Sequence, residues 1–151
     1  MNTTTALCST GVLLALSALP GSAAARSDET FEFDGIQVRC STINSATLPE
    51  ASLERYDIDG SRDRGVLSCM VYRASGDGPP ENIRASVEAA HHSIGETPRP
   101  LPMRATEAND LVTYVGTYPV ESQYPIQFSI DVDVAGQPPV SMDMRDLQPR
   151  S

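Results

Sequence analysis

The side chains best placed to do chemistry in this sequence are the adjacent pair His91-His92, the only two histidines in the chain. With Glu88 nearby they could offer imidazole and carboxylate ligands to a metal ion. On a strand, however, neighbouring side chains point to opposite faces, which keeps the two imidazoles apart. The pair then reads as two ordinary histidines at a strand end or loop. Met142 and Met144 share a strand face, and with Met103 and one His these soft ligands could hold Cu(I). They also lie in phase with Val140, and core packing is the simpler reading. Asp57, Asp59 and Asp63 around Gly60 resemble part of a Ca²⁺ loop but lack its terminal Glu, so they read as a solvated turn. Gly-x-Ser-x-Gly, Cys-x-x-Cys and a Gly-rich phosphate loop are all absent. A catalytic triad would have to use one of two adjacent histidines. The expectation is a non-enzymatic protein without a cofactor.

One polar group stands between two apolar stretches: Asn44 and Ser45 on one side, Ser61 and Arg64 on the other. Asn tolerates unusual backbone at turns and bonds neighbouring amides, while Arg64 could reach a carbonyl or carboxylate. The cluster is read as structural, with a binding groove formed by Asn44, Ser61 and Arg64 as the functional alternative.

The elements that must position these residues are mostly strands. Ile126, Phe128, Ile130, Val132 and Val134 alternate with polar residues, as do Val140, Met142 and Met144. This period of two marks strands with one buried and one wet face. Gly136-Gln137-Pro138-Pro139 is a turn between them. Ile36, Val38 and Cys40 form another alternating run, and so do Leu67, Cys69 and Val71. Leu48–Tyr56 has helical character, with Thr47 as its cap and Leu48, Leu53 and Tyr56 facing inward. Gly76–Pro80 reads as a turn, Ile83–Ala89 as a strand or helix, and Leu111–Tyr118 as a β-branched, aromatic strand. Pro98, Pro100 and Pro102 allow only an edge strand. The sum is an all-β chain: an Ig-like antiparallel β-sandwich of about seven strands with one short helix.

The 151 residues allow one domain, and 40% hydrophobic content supplies a core. Net charge is −9, and every one of the 11 basic residues is Arg. Such a surface repels phosphate backbones and anionic lipid headgroups, which disfavours nucleic acid and membrane surfaces as partners. Residues 1–25 carry no charged side chain. Gly11–Leu19 is apolar, Pro20-Gly21 breaks it, and Ser22–Ala25 supplies small residues, the layout of a signal peptide cleaved after Ala25. The apolar run is too short to span a bilayer. Cys8 precedes that run and lacks a lipobox-like context. The expected mature protein, residues 26–151, is a single periplasmic domain. Two cysteines remain in it, Cys40 and Cys69. Both sit in apolar phase, and an even count in an oxidising compartment suggests a disulfide, with two buried thiols as the alternative.

The run Phe33–Val38, then Asn44-Ser45, Leu48–Ala51, Tyr56–Ile58 and Ser61–Arg64, resembles the DUF4426 family of small exported proteobacterial proteins. Tyr114–Val120 is similar to that family's aromatic strand, and Phe128–Val132 to its next one. The resemblance covers nearly all of residues 31–147. It implies an exported β-sandwich and no activity, because the family's function is not established. This sequence departs from the pattern by one residue fewer between Leu48 and Pro49-Glu50. It also has Cys where the family tends to have an aromatic at 40 and an apolar residue at 69, and the joint change favours their pairing. The functional expectation is a periplasmic binding or accessory module for a protein or envelope partner. The alternative is a periplasmic copper or zinc protein using His91 or His92 with Met side chains.

Overall fold

The structure is a computed structural model that describes residues 26–120 and 125–146. The expected signal segment, its cleavage point after Ala25 and Cys8 lie outside the described residues. The described residues form ten strands: β1 (Arg26–Phe33), β2 (Ile36–Asn44), β3 (Arg64–Ser75), β4 (Gly78–Asn82), β5 (Ser86–Ser93), β6 (Arg99–Leu101), β7 (Arg104–Ala108), β8 (Leu111–Pro119), β9 (Ile126–Asp133) and β10 (Val140–Asp146). A 3₁₀ turn (Ser45–Thr47) and one helix, α1 (Glu50–Tyr56), fill the β2–β3 connection. Every strand pairing is antiparallel. One sheet runs β1-β2-β3-β8-β7 with β4 added beside β3, and the other runs β10-β9-β5-β6. The Ig-like sandwich architecture expected from the alternating runs is the one observed.

The strand count exceeds the expected seven by β1, β4 and β7, each of which lacks a clear alternating signal for a local reason. β1 is acidic and half wet, so it lacks a clean apolar phase, but it is joined to β2 by Asp34-Gly35, both at positive φ (44° and 75°). That is the two-residue hairpin geometry that Asp-Gly favours. β7 and β8 are linked the same way by Asn109 and Asp110 (φ 51° and 61°). β4 contains Pro79 and Pro80, which an edge strand tolerates; only Gly76-Asp77 of the expected turn remains a turn. β5 is shifted toward the histidines, because residues 83–85 carry the chain from one sheet to the other. Thr47 does not cap α1. Pro49 holds the N-cap position without a side-chain bond, while Thr47 Oγ1 donates to Asn44 O at 2.7 Å inside the 3₁₀ turn.

The core lies between the inward faces. Ile36, Val38, Leu67 and Val71 of the larger sheet meet Phe128, Ile130, Val132 and Met144 of the smaller one, all at most 1% exposed. Cys40 and Cys69 are directly opposite each other on β2 and β3, with Cα atoms 4.1 Å apart, and are joined as a disulfide. The expected pair is thus a rung within one sheet. Closing a 29-residue separation stabilises the fold by roughly 3–4 kcal/mol in the chain-entropy treatment. A second, smaller cluster forms on the outer face of the larger sheet, where Leu48, Leu53 and Tyr56 of the helical segment pack on Ile58, Val66 and Val115. The inward-facing reading of those three residues holds, with the outer cluster as their destination.

β3 has to serve three partners, and β8 leaves it after the Cys69–Tyr114 pair as β4 takes over from Tyr72. At this fork the side chain of Asn82 substitutes for a strand. Its Oδ1 accepts from Val112 N at 2.7 Å, and its Nδ2 donates to Val112 O at 3.2 Å and Val71 O at 3.3 Å. Tyr114 closes the next gap, its hydroxyl accepting from Ala85 N and donating to Ala85 O, both at 2.7 Å. Asn82→Ala would leave Val112 N–H and C=O without partners and is expected to lower stability by about 2–4 kcal/mol. Urea unfolding checks this. Asn82→Asp, which has no N–H to donate, should fail to restore it; a loss below about 0.5 kcal/mol in both variants would contradict the role assigned to Asn82.

Candidate functional site

The Asn44–Ser61–Arg64 group is brought together where β2 ends and β3 begins. Asn44 Oδ1 accepts from Ala46 N at 2.9 Å, and its Nδ2 donates to Arg62 O at 2.9 Å. The fully buried Ser45 hydroxyl donates to Ser61 O at 2.8 Å and accepts from Ser61 N at 3.0 Å. Ser61 Oγ in turn accepts from Asp63 N at 3.3 Å. These bonds satisfy the backbone of a non-repetitive excursion, as buried polar groups require. Asn44 and Ser61 are therefore committed internally. Arg64 is exposed and, among the described residues, holds no ion pair; its guanidinium is what this corner presents outward. Nearby, Asp57 is the αL cap of α1. Its carboxylate sits 3.7 Å from Arg104 Nη1, and Arg104 also donates to Tyr56 O. The cation thereby lies at the helix C-terminus, where the macrodipole favours it.

His91 and His92 occupy the far end of β5. His91 is in the inward phase, in a row across the smaller sheet that reads Met144, Phe128, His91, Arg99. Its ring centroid is 6.3 Å from that of Tyr118, which stands edge-on to Phe128 at 4.8 Å. His92 is in the outward phase opposite Gln127. The strand alternation thus separates them as expected, yet both reach one small cavity of about 50 Å³ at the end of the ladder, together with Ser93, Glu96, Arg99, Pro119 and Ile126. His92 Nδ1 is buried and has no hydrogen-bond partner among the described residues. Glu88, the expected companion of the histidines, instead lies outward opposite Asp131. The carboxylate near them is Glu96, on the turn after β5, a position that strand periodicity does not reach.

The methionines do not join the histidines. Met142 and Met144 are 7% and 1% exposed in the core, and Met144 is two strands from His91, about 10 Å at ordinary strand spacing. Met103 packs over Gly116, where an added Cβ would come within 2.7 Å of its sulfur. The core reading of Met142 and Met144 is the one the structure shows.

A further group had no sequence signal. Tyr118 folds across Gly65, its partner on β3, so closely that a Cβ at 65 would lie 2.1 Å from the ring. Its hydroxyl donates to Asp146 Oδ2 at 2.9 Å, while Ser27 Oγ donates to Asp146 Oδ1 at 3.5 Å. Three strands from both sheets are thereby tied at this end of the sandwich.

The family's sequence profile, described as a domain of unknown function, matches residues 30–146. This sandwich therefore belongs to the DUF4426 family. Its fold is similar to that of a DUF4426 family protein from Pseudomonas aeruginosa PAO1, with a TM-score of 0.69, 17% identity, and coverage of 82% of this chain and 97% of that one. It is also similar to FetP of uropathogenic Escherichia coli strain F11, expressed recombinantly in the periplasm of E. coli, with a TM-score of 0.59, 11% identity, and coverage of 83% and 96%. A copper-bound variant of FetP gives a TM-score of 0.57 at 9% identity, covering 82% and 98%. No curated protein matches the sequence.

Burial lowers the pKa of His91, the Arg99 guanidinium lowers it further, Glu96 pulls the other way, and His92 adds a smaller lowering. An imidazole with a folded pKa below its unfolded value binds fewer protons in the native state than in the unfolded chain. Stability should therefore fall as pH drops through the ordinary imidazole value of about 6.5 and be regained above it. A ¹H–¹³C titration of the metal-free protein should place the His91 midpoint below that value, and Arg99→Ala should raise it. A wild-type midpoint at or above the ordinary value would contradict the burial argument.

Proposed function

We propose that this protein is a non-enzymatic, periplasmic binding module that docks a basic protein or envelope partner on the outer face of the β10-β9-β5-β6 sheet. The observation that carries this reading is the unequal covering of the two sheets. One end of the larger sheet's outer face lies under α1 and its apolar cluster. The outer face of the smaller sheet carries exposed Glu88, Asp131, Asp133 and Asp143, against Arg145 as its one arginine. Glu88 and Asp131 are direct cross-strand neighbours, an arrangement that opposes folding by like-charge repulsion. Ser129 holds Asp143 with a 2.9 Å bond, and Ser141 holds Asp131, so the carboxylates are positioned. A cationic partner would relieve the repulsion and be steered by the chain's net charge of −9. Export is supported by the signal-like first 25 residues, by the Cys40–Cys69 disulfide, and by the periplasmic expression of FetP, which shares the fold.

The second reading, a periplasmic metal-binding protein, is favoured by the convergence of His91, His92 and Glu96 on one cavity. That a FetP variant of the same fold is copper-bound is consistent with it.

The test of the first reading is a crosslinking pull-down from the native envelope in the presence of a chelator. A basic partner should be recovered at low salt, lost at high salt, and lost from Asp131→Lys/Asp143→Lys. Retention in that variant with loss from Arg64→Glu would move the surface to the Asn44–Ser61–Arg64 corner. An empty pull-down would count against a binding module altogether.

A further inference from the structure

We infer that the free edge of β10 is an interaction surface that takes an extended, basic segment of a partner protein as a fifth strand of the four-stranded sheet. This rests on the proposed docking of a basic partner on that sheet and names how the partner is held. A sheet edge presents unpaired N–H and C=O groups, and folded proteins blunt such edges with prolines, short strands, inward-pointing charges or covering groups. Among the described residues the edge strands are β1, β4, β6, β7 and β10. β4 holds Pro79 and Pro80, and β6 is three residues long with Pro100 at its centre. β7 is five residues long, with Arg104 bonded to Tyr56 O and Glu107 paired with Arg84. β1 turns Glu29 into the inward phase, opposite Cys40. β10 has none of these devices. Its seven residues contain no proline, and its register with β9 is continuous. Its inward phase is apolar through Val140, Met142 and Met144 up to Asp146, whose carboxylate is taken by Tyr118 and Ser27. β1 lies beside β10 but is not its ladder partner. Along Ser141–Arg145, every second N–H and C=O is therefore directed away from β9.

The side chains beside that edge select the occupant. A strand laid on β10 would set its outward side chains next to Ser141, Asp143 and Arg145, and its inward ones next to Met142 and Met144. Behind Ser141 the cross-strand row continues to Asp131 and Glu88, both exposed. Ser129 holds the Asp143 carboxylate at 2.9 Å. Lys or Arg at two successive outward positions would meet Asp143 and the Asp131–Glu88 pair. The residue between them would lie over the rim of the core, where Phe31, Phe33 and Val140 are only partly buried. The occupant is accordingly a segment that alternates basic and apolar residues, held by main-chain bonds and read by alternate side chains. A second copy of this chain fits poorly. Antiparallel self-pairing centred on Asp143 would place two Asp143 carboxylates side by side, and each chain carries a net charge of −9.

The experiment titrates the purified protein with a peptide of about ten residues, alternating lysine and valine with blocked ends, and reads amide hydrogen exchange by NMR. The same peptide with glutamate in place of lysine is the control. The lysine peptide is expected to bind saturably, to weaken as salt rises, and to slow exchange at alternate β10 amides about tenfold or more. The glutamate peptide should do none of this. Asp143→Lys, at an exposed position, is expected to lower the affinity about tenfold or more. Saturable binding that leaves the β10 amides unprotected would put the peptide on the open face; strand addition would then be overturned and the proposed docking left intact. Absence of binding would overturn it as well, and the pull-down decides separately whether a basic partner is held at all. Protection of those amides without peptide, rising with protein concentration, would give the edge to a second copy and overturn the assignment.

Discussion

The constraint on which the rest of this fold depends is that one strand, β3, must be shared. It pairs with β2 along nearly its whole length, with β8 over its first half and with β4 over its second. Where β8 departs, the Cys40–Cys69 rung and the neighbouring Tyr114 form a row across three strands. A fork in a sheet exposes main-chain donors and acceptors in the middle of a core, which an ordinary ladder would have satisfied. Asn82 and Tyr114 satisfy them with side chains, and the disulfide keeps β2 on β3 at the same level. The crossing of residues 83–85 into the smaller sheet then follows, because the chain leaves β4 at the point where Asn82 is anchored to both β3 and β8.

From that fork the sandwich acquires two unlike ends and two unlike outer faces. Beyond the β5–β6 turn, Tyr118, Asp146 and Ser27 tie the sheets together, and the histidines stand beside them. Gly65 is what lets the Tyr118 ring lie flat across β3, since any side chain there would occupy the ring's position. On the larger sheet, the β2–β3 excursion folds back as a helix over Val66 and Val115. Among the described residues the smaller sheet has no such excursion, and a short turn joins β9 to β10. Its acidic side chains consequently remain at the surface.

The legible part of the candidate sites was local. Period-two alternation placed Met142 and Met144 inward with Val140, put His91 and His92 on opposite faces, and set both cysteines in core phase. The polar residues around Asn44 and Ser61 were readable as a tie because Asn and Ser bond nearby backbone. What could not be read there was which of these residues keeps a free polar group. The bonds of Asn44 and Ser61 run to residues up to 18 positions away, and the near-neighbours of His91 come from β6, β8, β9 and the turn before β6.

By itself the sequence determined the antiparallel sandwich, the apolar phase of nearly every core strand, the acidity of the surface and the membership in the family, because alternation, turn chemistry and charge are properties of adjacent residues. Only the tertiary structure decided register and partnership: that Cys40 faces Cys69 within one sheet, that Asn82 stands in for a strand at Val71 and Val112, that Glu96 replaces Glu88 as the carboxylate beside the histidines, and that Glu88 meets Asp131. The physical reason is that each of these pairings depends on which strands lie side by side. That order is set by the simultaneous burial of two sheet faces and leaves no mark on the local pattern of either partner.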